Sequence, residues 1–307
     1  MKTQNLTVPN EFIFMGITDL PEPQAPLFGL FLIIYVTSAV DNLGMVIFTK
    51  VDSRLQTPMY FFLRHLALTD LGYAIAVGTK MLANFIMGQN STSFYLCTTQ
   101  LAFFIMFIIS ELFILAAMSY DHFVAICKPL LYTVIMSQRV CWILMAIPYL
   151  YSASVSLTVK VNISNLSFCG YNIIKHFYCD CLHLISLLCS NTQKIELIIL
   201  IFSGANTILS LPVILLSYLL ILVAILRMNC ISKHKALSTR GSHLTVVTVV
   251  FWTLIFMYMQ SFDTDKMASI FYTLVISMLN PLTYSLRNKD AKYALQKVWN
   301  KLCNISS

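Results

Sequence analysis

Long apolar stretches recur along the chain and are separated by short polar segments. A helix that crosses a bilayer needs about 20 mostly apolar residues, because lipid offers no partner to free backbone groups. Seven stretches meet this requirement and predict seven spanning helices: Pro26–Phe48, Met59–Gly78, Ser93–Met118, Val140–Val159, Ile195–Leu226, Leu244–Tyr258 with some extension, and Ala268–Leu286. The fifth stretch exceeds what a bilayer requires, so we expect it to project into water.

No internal repeat, low-complexity segment or linker interrupts this pattern, so we predict one all-α membrane domain over residues 1–307. Residues 1–25 form an outer tail and residues 287–307 an inner tail. Residues 1–25 lack the basic and short apolar regions of a cleaved signal peptide, so the first span is expected to act as the signal.

The composition excludes a water-soluble enzyme and a disordered chain. Only 11% of the 307 residues are charged and 58% are hydrophobic, whereas a soluble domain carries about 25% charged residues. Disordered segments are poor in apolar residues, which this chain is not.

The positions of lysine and arginine predict the orientation, because cytoplasmic loops carry an excess of both. One side of the predicted bundle holds 14 of the 20 basic residues: Lys50, Arg54, Arg64, Lys128, Arg139, Arg227, Lys233, Lys235, Arg240, Arg287, Lys289, Lys292, Lys297 and Lys301. We expect that side to be cytoplasmic and the N-terminus to be extracellular. The net charge of +7 therefore indicates membrane topology, and the scattering of the basic residues argues against a nucleic-acid partner.

Glycosylation sequons and cysteines agree with this orientation. Asn5 begins a sequon in the outer tail, and further sequons begin at Asn90, Asn162 and Asn165. One at Asn304 lies inside, where we expect it to go unused. Five cysteines lie on the predicted outer side, where an oxidising environment favours disulfides: Cys97, Cys169, Cys179, Cys181 and Cys189.

Four strings at the inner ends of the spans carry a family resemblance. They are LQTPMYFFL at Leu55–Leu63, MSYDHFVAICKPL at Met118–Leu130, KALSTRGSHL at Lys235–Leu244 and MLNPLTYSLRNK at Met278–Lys289. In this order, and with the outer-loop run from Cys169 through HFYCD at His176–Asp180 to Cys189, they resemble the olfactory receptor family of rhodopsin-like G-protein-coupled receptors. The resemblance covers almost the whole chain and implies a seven-transmembrane receptor.

The resemblance implies two disulfides on the outer side. Cys97 and Cys179 match a bridge between the third span and the second outer loop, and Cys169 and Cys189 match a bridge within that loop. Cys181 is then left over, either as a thiol without a role or as a ligand or metal contact near His183.

Two carboxylates lie inside apolar spans, Asp70 in the second and Glu111 in the third, and both match acidic positions of the family. Charged groups in a membrane are costly unless they face the bundle interior and find partners. With Asn42 and Asn280 they are candidates for a sodium ion or proton site; the alternative is a protonated, hydrogen-bonded structural pair. We expect no other cofactor and no metal site.

The inner end of the bundle is the expected G-protein side. Asn280 and Pro281 predict a kink in the seventh span, which is either a hinge or a static bend. Tyr284 and Tyr218 would exchange hydrogen-bond partners if it is a hinge. After the last span, lysines flank an apolar stripe, which predicts a short amphipathic helix on the inner leaflet rather than a solvated tail.

Several residues depart from the family pattern. His122 stands where the family has arginine after Asp121, and its side chain cannot make the permanently charged, two-pronged contact of arginine. Asp41 replaces a glycine of the first span, which places an extra carboxylate in the membrane. Gln56 replaces a histidine of the first inner loop.

Matching the family's ligand cavity points to the outer halves of the third, fifth, sixth and seventh spans. The candidates are Phe104, Ile105, Ile108, Ile109, Phe202, Asn206, Leu254, Tyr258, Ile270 and Thr273. None is charged, so a small, mostly apolar ligand with at most one hydrogen-bonding group fits best. For each residue the alternative is core packing or contact with lipid.

Together these features predict a plasma-membrane odorant receptor that engages a stimulatory olfactory G protein, raises cyclic AMP and also contacts membrane lipid. A transporter would need repeat symmetry and paired helix breaks, and an enzyme would need a catalytic constellation; neither is found. The stronger alternative is a receptor that folds but signals poorly because of His122 and Asp41.

Overall fold

The computed structural model describes residues 11–14, 24–52, 55–87, 91–166, 168, 172–174, 178–188, 192–227 and 248. The helices in these ranges are α1 (Gln24–Val51), α2 (Pro58–Met87), α3 (Phe94–Cys127), α4 (Tyr132–Ile135), α5 (Gln138–Ser164), α6 (Cys181–Ser186) and α7 (Gln193–Leu226). A 3-10 turn at Pro129–Leu131 connects α3 to α4.

Five of these helices, α1, α2, α3, α5 and α7, are long and apolar enough to cross a membrane. They confirm the first five predicted spans. The seventh predicted span, at 268–286, and the predicted C-terminal helix lie outside the described residues, as does the sixth predicted span, at 244–258, except for residue 248.

The helices extend beyond the apolar stretches that predicted them. The third stretch was predicted to end at Met118, but α3 continues through Asp121 to Cys127. Apolarity marks only the part of a helix that lies in lipid, whereas backbone hydrogen bonds continue into the interface. Asp121 and His122 therefore lie on regular helix and not in a loop.

Among the five described spanning helices α3 is the most buried, and it packs against α2, α5 and α7. In its most apolar window 67% of the residues are buried, against 22% in α1. Because α3 is covered on nearly every side, it is the axis of the described bundle.

Polar side chains join α3 to its neighbours within the apolar layer. Ser110 Oγ and Ser152 Oγ lie 2.8 Å apart between α3 and α5. Ser156 Oγ donates to the Ala102 carbonyl oxygen at 2.6 Å. Small residues with such bonds let membrane helices approach closely, since each polar group must find its partner inside the protein.

A three-stranded sheet covers the outer end of the bundle, with β1 (Glu11–Phe14) between β2 (Ser91–Ser93) and β3 (Ile173–Ile174). β1 runs antiparallel to β2 and parallel to β3. Its side chains alternate, so Phe12 and Phe14 are buried. The sheet was not predicted, and it joins the N-terminal tail to two loops that the charge pattern had placed on the same side.

Two glycines on α2 allow neighbouring helices to approach. A Cβ atom at Gly78 would lie 2.5 Å from Cδ2 and 2.6 Å from Cε2 of Tyr35 on α1. A Cβ atom at Gly72 would meet the Phe107 ring on α3, 2.6 Å from one ring carbon. Any larger residue must push these rings away.

We therefore expect Gly78→Ala to lower the free energy of unfolding by about 1–3 kcal/mol, the usual cost of overpacking. Thermal unfolding of the detergent-solubilised protein measures the change. Gly44→Ala is the matched control, because its Cβ would lie 3.5 Å from the Phe48 ring in ordinary contact. Equal stability of the two variants would contradict the close approach of α1 and α2.

Candidate functional site

The outer end of the bundle is closed by a disulfide between Cys97, at the start of α3, and Cys179, in the loop before α6. The Cα atoms lie 5.5 Å apart across 82 residues of sequence, and both cysteines are fully buried. This confirms the first predicted bridge. Closing a loop of this length stabilises the fold by about 4 kcal/mol in the chain-entropy model.

The same loop packs its aromatic residues against the N-terminal strand. Phe168 is fully buried, and its ring centroid lies 5.6 Å from that of Phe12 and 5.4 Å from that of Phe94. Phe168 also forms an antiparallel bridge with Leu188. These two residues directly precede Cys169 and Cys189, whose predicted bridge lies outside the described residues.

The N-terminal strand and the loop with Phe168 and Cys179 together form a cap over the outer end of the bundle. Tyr178 of this loop extends the cap to Phe104, one of the predicted ligand residues. It is fully buried, and its ring centroid lies 5.7 Å from that of Phe104. Phe104 in turn lies 5.3 Å from Tyr73 on α2, measured between ring centroids. The loop therefore supplies a ceiling above α3 that is made of aromatic rings.

Six of the ten predicted ligand residues lie on α3 and α7 within the described residues. Phe104, Ile109 and Asn206 are buried, whereas Ile105, Ile108 and Phe202 are half-buried. α3 and α7 pack directly on each other. The four remaining candidates lie outside the described residues: Leu254, Tyr258, Ile270 and Thr273.

Asn206 on α7 differs from its apolar surroundings. Its side chain is 5% exposed, and its Oδ1 has no hydrogen-bond partner among the described residues. Its backbone oxygen accepts a bond from Ser210 Oγ at 2.6 Å. A buried amide oxygen without a partner costs about 1–3 kcal/mol, which a donor on a bound molecule would recover.

The left-over thiol of Cys181 is not part of a metal cluster in the described part of the chain. Burial raises the pKa of the Cys181 thiol, and the neighbouring Asp180 carboxylate raises it further. Asp180 Oδ2 lies 3.2 Å from His183 Nδ1. The thiol is therefore protonated at neutral pH, which disfavours metal binding, since metals bind the thiolate.

The three members of the predicted cation or proton site that the structure describes, Asn42, Asp70 and Glu111, are all buried. They lie on α1, α2 and α3, and α2 packs against both other helices. Each has a partner within the protein, and Asn42 Nδ2 donates to the Ser38 carbonyl oxygen at 2.9 Å. Binding of a cation or proton remains a prediction, and Asn280 lies outside the described residues.

Asp41, one residue before Asn42, has a different environment. The residue is half-buried, and its Oδ2 is buried without a hydrogen-bond partner among the described residues. The extra carboxylate of the first span is thus unsatisfied in this part of the chain.

At the inner end of α3, Asp121 has a partner that sequence reasoning missed. Tyr132 Oη, at the start of α4, donates to Asp121 Oδ1 at 2.9 Å. Asp121 Oδ2 lies 3.8 Å from His122 Nδ1, and both residues are buried. A tyrosine shortly after the end of α3 was the only sequence signal, and it required the intervening turn to be known.

The same end of α3 also contacts α7. Cys127 Sγ lies 3.8 Å from the Leu220 carbonyl oxygen, and Tyr218 packs against the inner core. Tyr284, which was predicted to exchange hydrogen-bond partners together with Tyr218, lies outside the described residues. The predicted kink at Asn280 and Pro281 and the glycosylation candidate Asn5 also lie outside them.

Comparison with known proteins agrees with this arrangement. A family model described as olfactory receptor matches residues 31–302. Human olfactory receptor 8K3 is 67% identical over 310 residues, covering 99% of each chain. Human olfactory receptor 8K1 is 60% identical over 95% of this chain and 93% of its own, and mouse olfactory receptor 8U3 is 51% identical over 98% and 96%.

We expect Tyr132→Phe to destabilise the receptor by about 1–3 kcal/mol, because it leaves a buried carboxylate without its hydroxyl donor. Thermal unfolding of the purified receptor measures this. The matched control is Tyr95→Phe, since the Tyr95 side chain is 71% exposed and a phenylalanine keeps its ring contact with Lys160. A loss of the same size in both variants would show that the bond to Asp121 contributes nothing.

Proposed function

The chain belongs to the olfactory receptor family, and we propose that it binds a small, mostly apolar odorant and activates a stimulatory G protein that raises cyclic AMP. The family consists of G-protein-coupled receptors of the plasma membrane and not of enzymes. The proposal concerns the kind of ligand, the place where it binds and the G protein.

The ligand proposal rests on a single observation, the unsatisfied Oδ1 atom of Asn206. It is buried and has no hydrogen-bond partner among the described residues. The other predicted ligand residues on α3 and α7 are apolar and uncharged. An odorant with one hydroxyl or amine hydrogen satisfies this oxygen, and its hydrocarbon part fills the apolar remainder.

The cap above the pocket supports a small ligand. Tyr178 and Phe104 close the interior from the outer side, and the Cys97–Cys179 bridge fixes the loop that carries Tyr178. Because the interior is shielded from water, one hydrogen bond there discriminates more strongly between ligands than it does at the surface.

On the inner side the proposal rests on Asp121 and its neighbours. Tyr132 donates a hydrogen bond to the Asp121 carboxylate, which joins the end of α3 to the following loop. His122 is shorter than the arginine of the family and is not permanently charged. We infer that activation moves the end of α3 with that loop and that coupling proceeds with reduced efficiency.

A cyclic AMP assay in cells with an odorant panel tests the proposal. We expect a response from the unmodified receptor and a larger maximal response from His122→Arg, because a permanent charge then faces the G protein. Surface display is measured in parallel for every variant. Gln56→His is the control, since it restores a family residue without touching Asp121.

If the unmodified receptor is displayed but silent, and His122→Arg responds, the chain is a folded receptor that signals poorly. That outcome would overturn the proposal of a competent receptor.

Asn206→Leu tests the polar anchor. For an odorant with a hydroxyl group we expect the half-maximal concentration to rise about tenfold, since one buried hydrogen bond contributes about 1–1.5 kcal/mol. The hydrocarbon analogue of that odorant should be unaffected. Thr207→Val, at the next and exposed position of α7, is the control. An equal loss for both odorants would contradict an anchoring role.

A further inference from the structure

A cavity of about 580 Å³ opens at the inner end of the bundle, remote from the odorant pocket. It lies between the end of α1, the start of α2, the loop with α4 and the start of α5. We propose that it binds the headgroup of an anionic phospholipid of the inner leaflet, with Lys50 and Arg64 as the phosphate-binding residues.

The charge of the cavity selects an anion. Lys50 and Arg64 both line it, and no acidic residue in the described part of the chain does. No described carboxylate forms an ion pair with either cation. Arg64 is positioned by the Phe61 ring, whose centroid lies 5.7 Å from the guanidinium carbon.

Two helix N-termini reinforce this charge. Thr57 and Pro58 at the start of α2, and Ser137 and Gln138 at the start of α5, line the same cavity. The Ser137 hydroxyl makes no capping hydrogen bond to α5. The positive ends of both helix dipoles therefore face the space that Lys50 and Arg64 flank, which favours a phosphate.

The position of the cavity selects a lipid over a soluble anion. Trp142 lines it and is 53% exposed, and Ile143 and Ile147 continue an exposed apolar surface along α5. Tryptophan is typical of the membrane interface, where one edge is wet and the other apolar. A phospholipid can place its headgroup in the cavity while its chains follow α5.

The basic C-terminal tail is a poor occupant. Lys289, Lys292, Lys297 and Lys301 would be repelled by the two cations of the cavity. The inner leaflet supplies anionic phospholipid at this depth and attracts such cationic sites.

An occupied cavity would also act on the signalling end of α3. Tyr132 and Thr133 line the cavity, and Tyr132 holds Asp121. A bound headgroup thus stabilises the loop that joins α3 to α5, so inner-leaflet lipid composition would influence coupling.

Native mass spectrometry of the purified full-length receptor, titrated with phosphatidylserine or phosphatidylcholine, tests the proposal. We expect selective retention of phosphatidylserine. A direct hydrogen bond from each cation to the phosphate strengthens binding about fivefold, so Lys50→Gln with Arg64→Gln should weaken phosphatidylserine binding about 25-fold. Because no odorant or G protein takes part, this result does not depend on the proposed function.

Lys128→Gln with Arg139→Gln is the matched control. Both residues are exposed on the same inner face but do not line the cavity, so binding should weaken less than about threefold. An equal loss for both pairs would show that diffuse surface charge attracts the lipid, and it would overturn the site.

Two further variants distinguish the loss of the binding site from misfolding. A competing headgroup distinguishes a lipid ligand from a soluble anion. Lys50→Arg with Arg64→Lys keeps both charges and should retain binding, whereas Thr133→Trp should block it by filling the cavity. Glycerophosphoserine, the headgroup without chains, should not displace the lipid. Displacement by it, or undiminished binding in Thr133→Trp, would overturn the proposal.

Discussion

The absence of hydrogen-bond partners in lipid is the constraint on which the rest of this structure depends. Side-chain hydroxyls in the spans bond to carbonyls of their own helix, as Ser110 Oγ does to Met106 at 2.8 Å, or across to a neighbour, as at Ser110–Ser152. These bonds lie mostly on α3 and the helices that enclose it. Bonds between helices, such as Ser110–Ser152, hold the interior together, and α1 and α7 carry many of the exposed large apolar side chains of the described residues.

Because α3 is enclosed, it joins the two functional ends of the molecule. Its 34 residues span about 50 Å at the usual rise per residue. Cys97 ties its outer end to the cap, and Asp121 ties its inner end to the loop with Tyr132. A covered, regular helix transmits little by bending. The proposed odorant would therefore act by changing how α7 packs against α3.

Sequence alone could predict the first five spans and the first disulfide, because apolar length and a family motif are local signals. It could not predict the three-stranded sheet. Its strands of two to four residues form only because distant segments of the chain pair with each other. It also missed Tyr132, whose bond to Asp121 depends on the 3-10 turn between them. The inner cavity could not be predicted either, because Lys50 and Arg64 line one cavity only after α1 and α2 have packed against each other.

Two of the three departures from the family, His122 and Asp41, now have different consequences. Asp121 has a hydroxyl donor in Tyr132, so the missing arginine at position 122 leaves no buried carboxylate unsatisfied and bears on coupling, not on folding. Asp41 bears on folding and not on coupling. Its Oδ2 is buried without a partner among the described residues, and the residue lies far in sequence from the inner loop. An unsatisfied carboxylate in a membrane span raises the energy of the folded state itself. We therefore attribute any loss of surface display to Asp41, and any loss of signalling at normal surface display to His122.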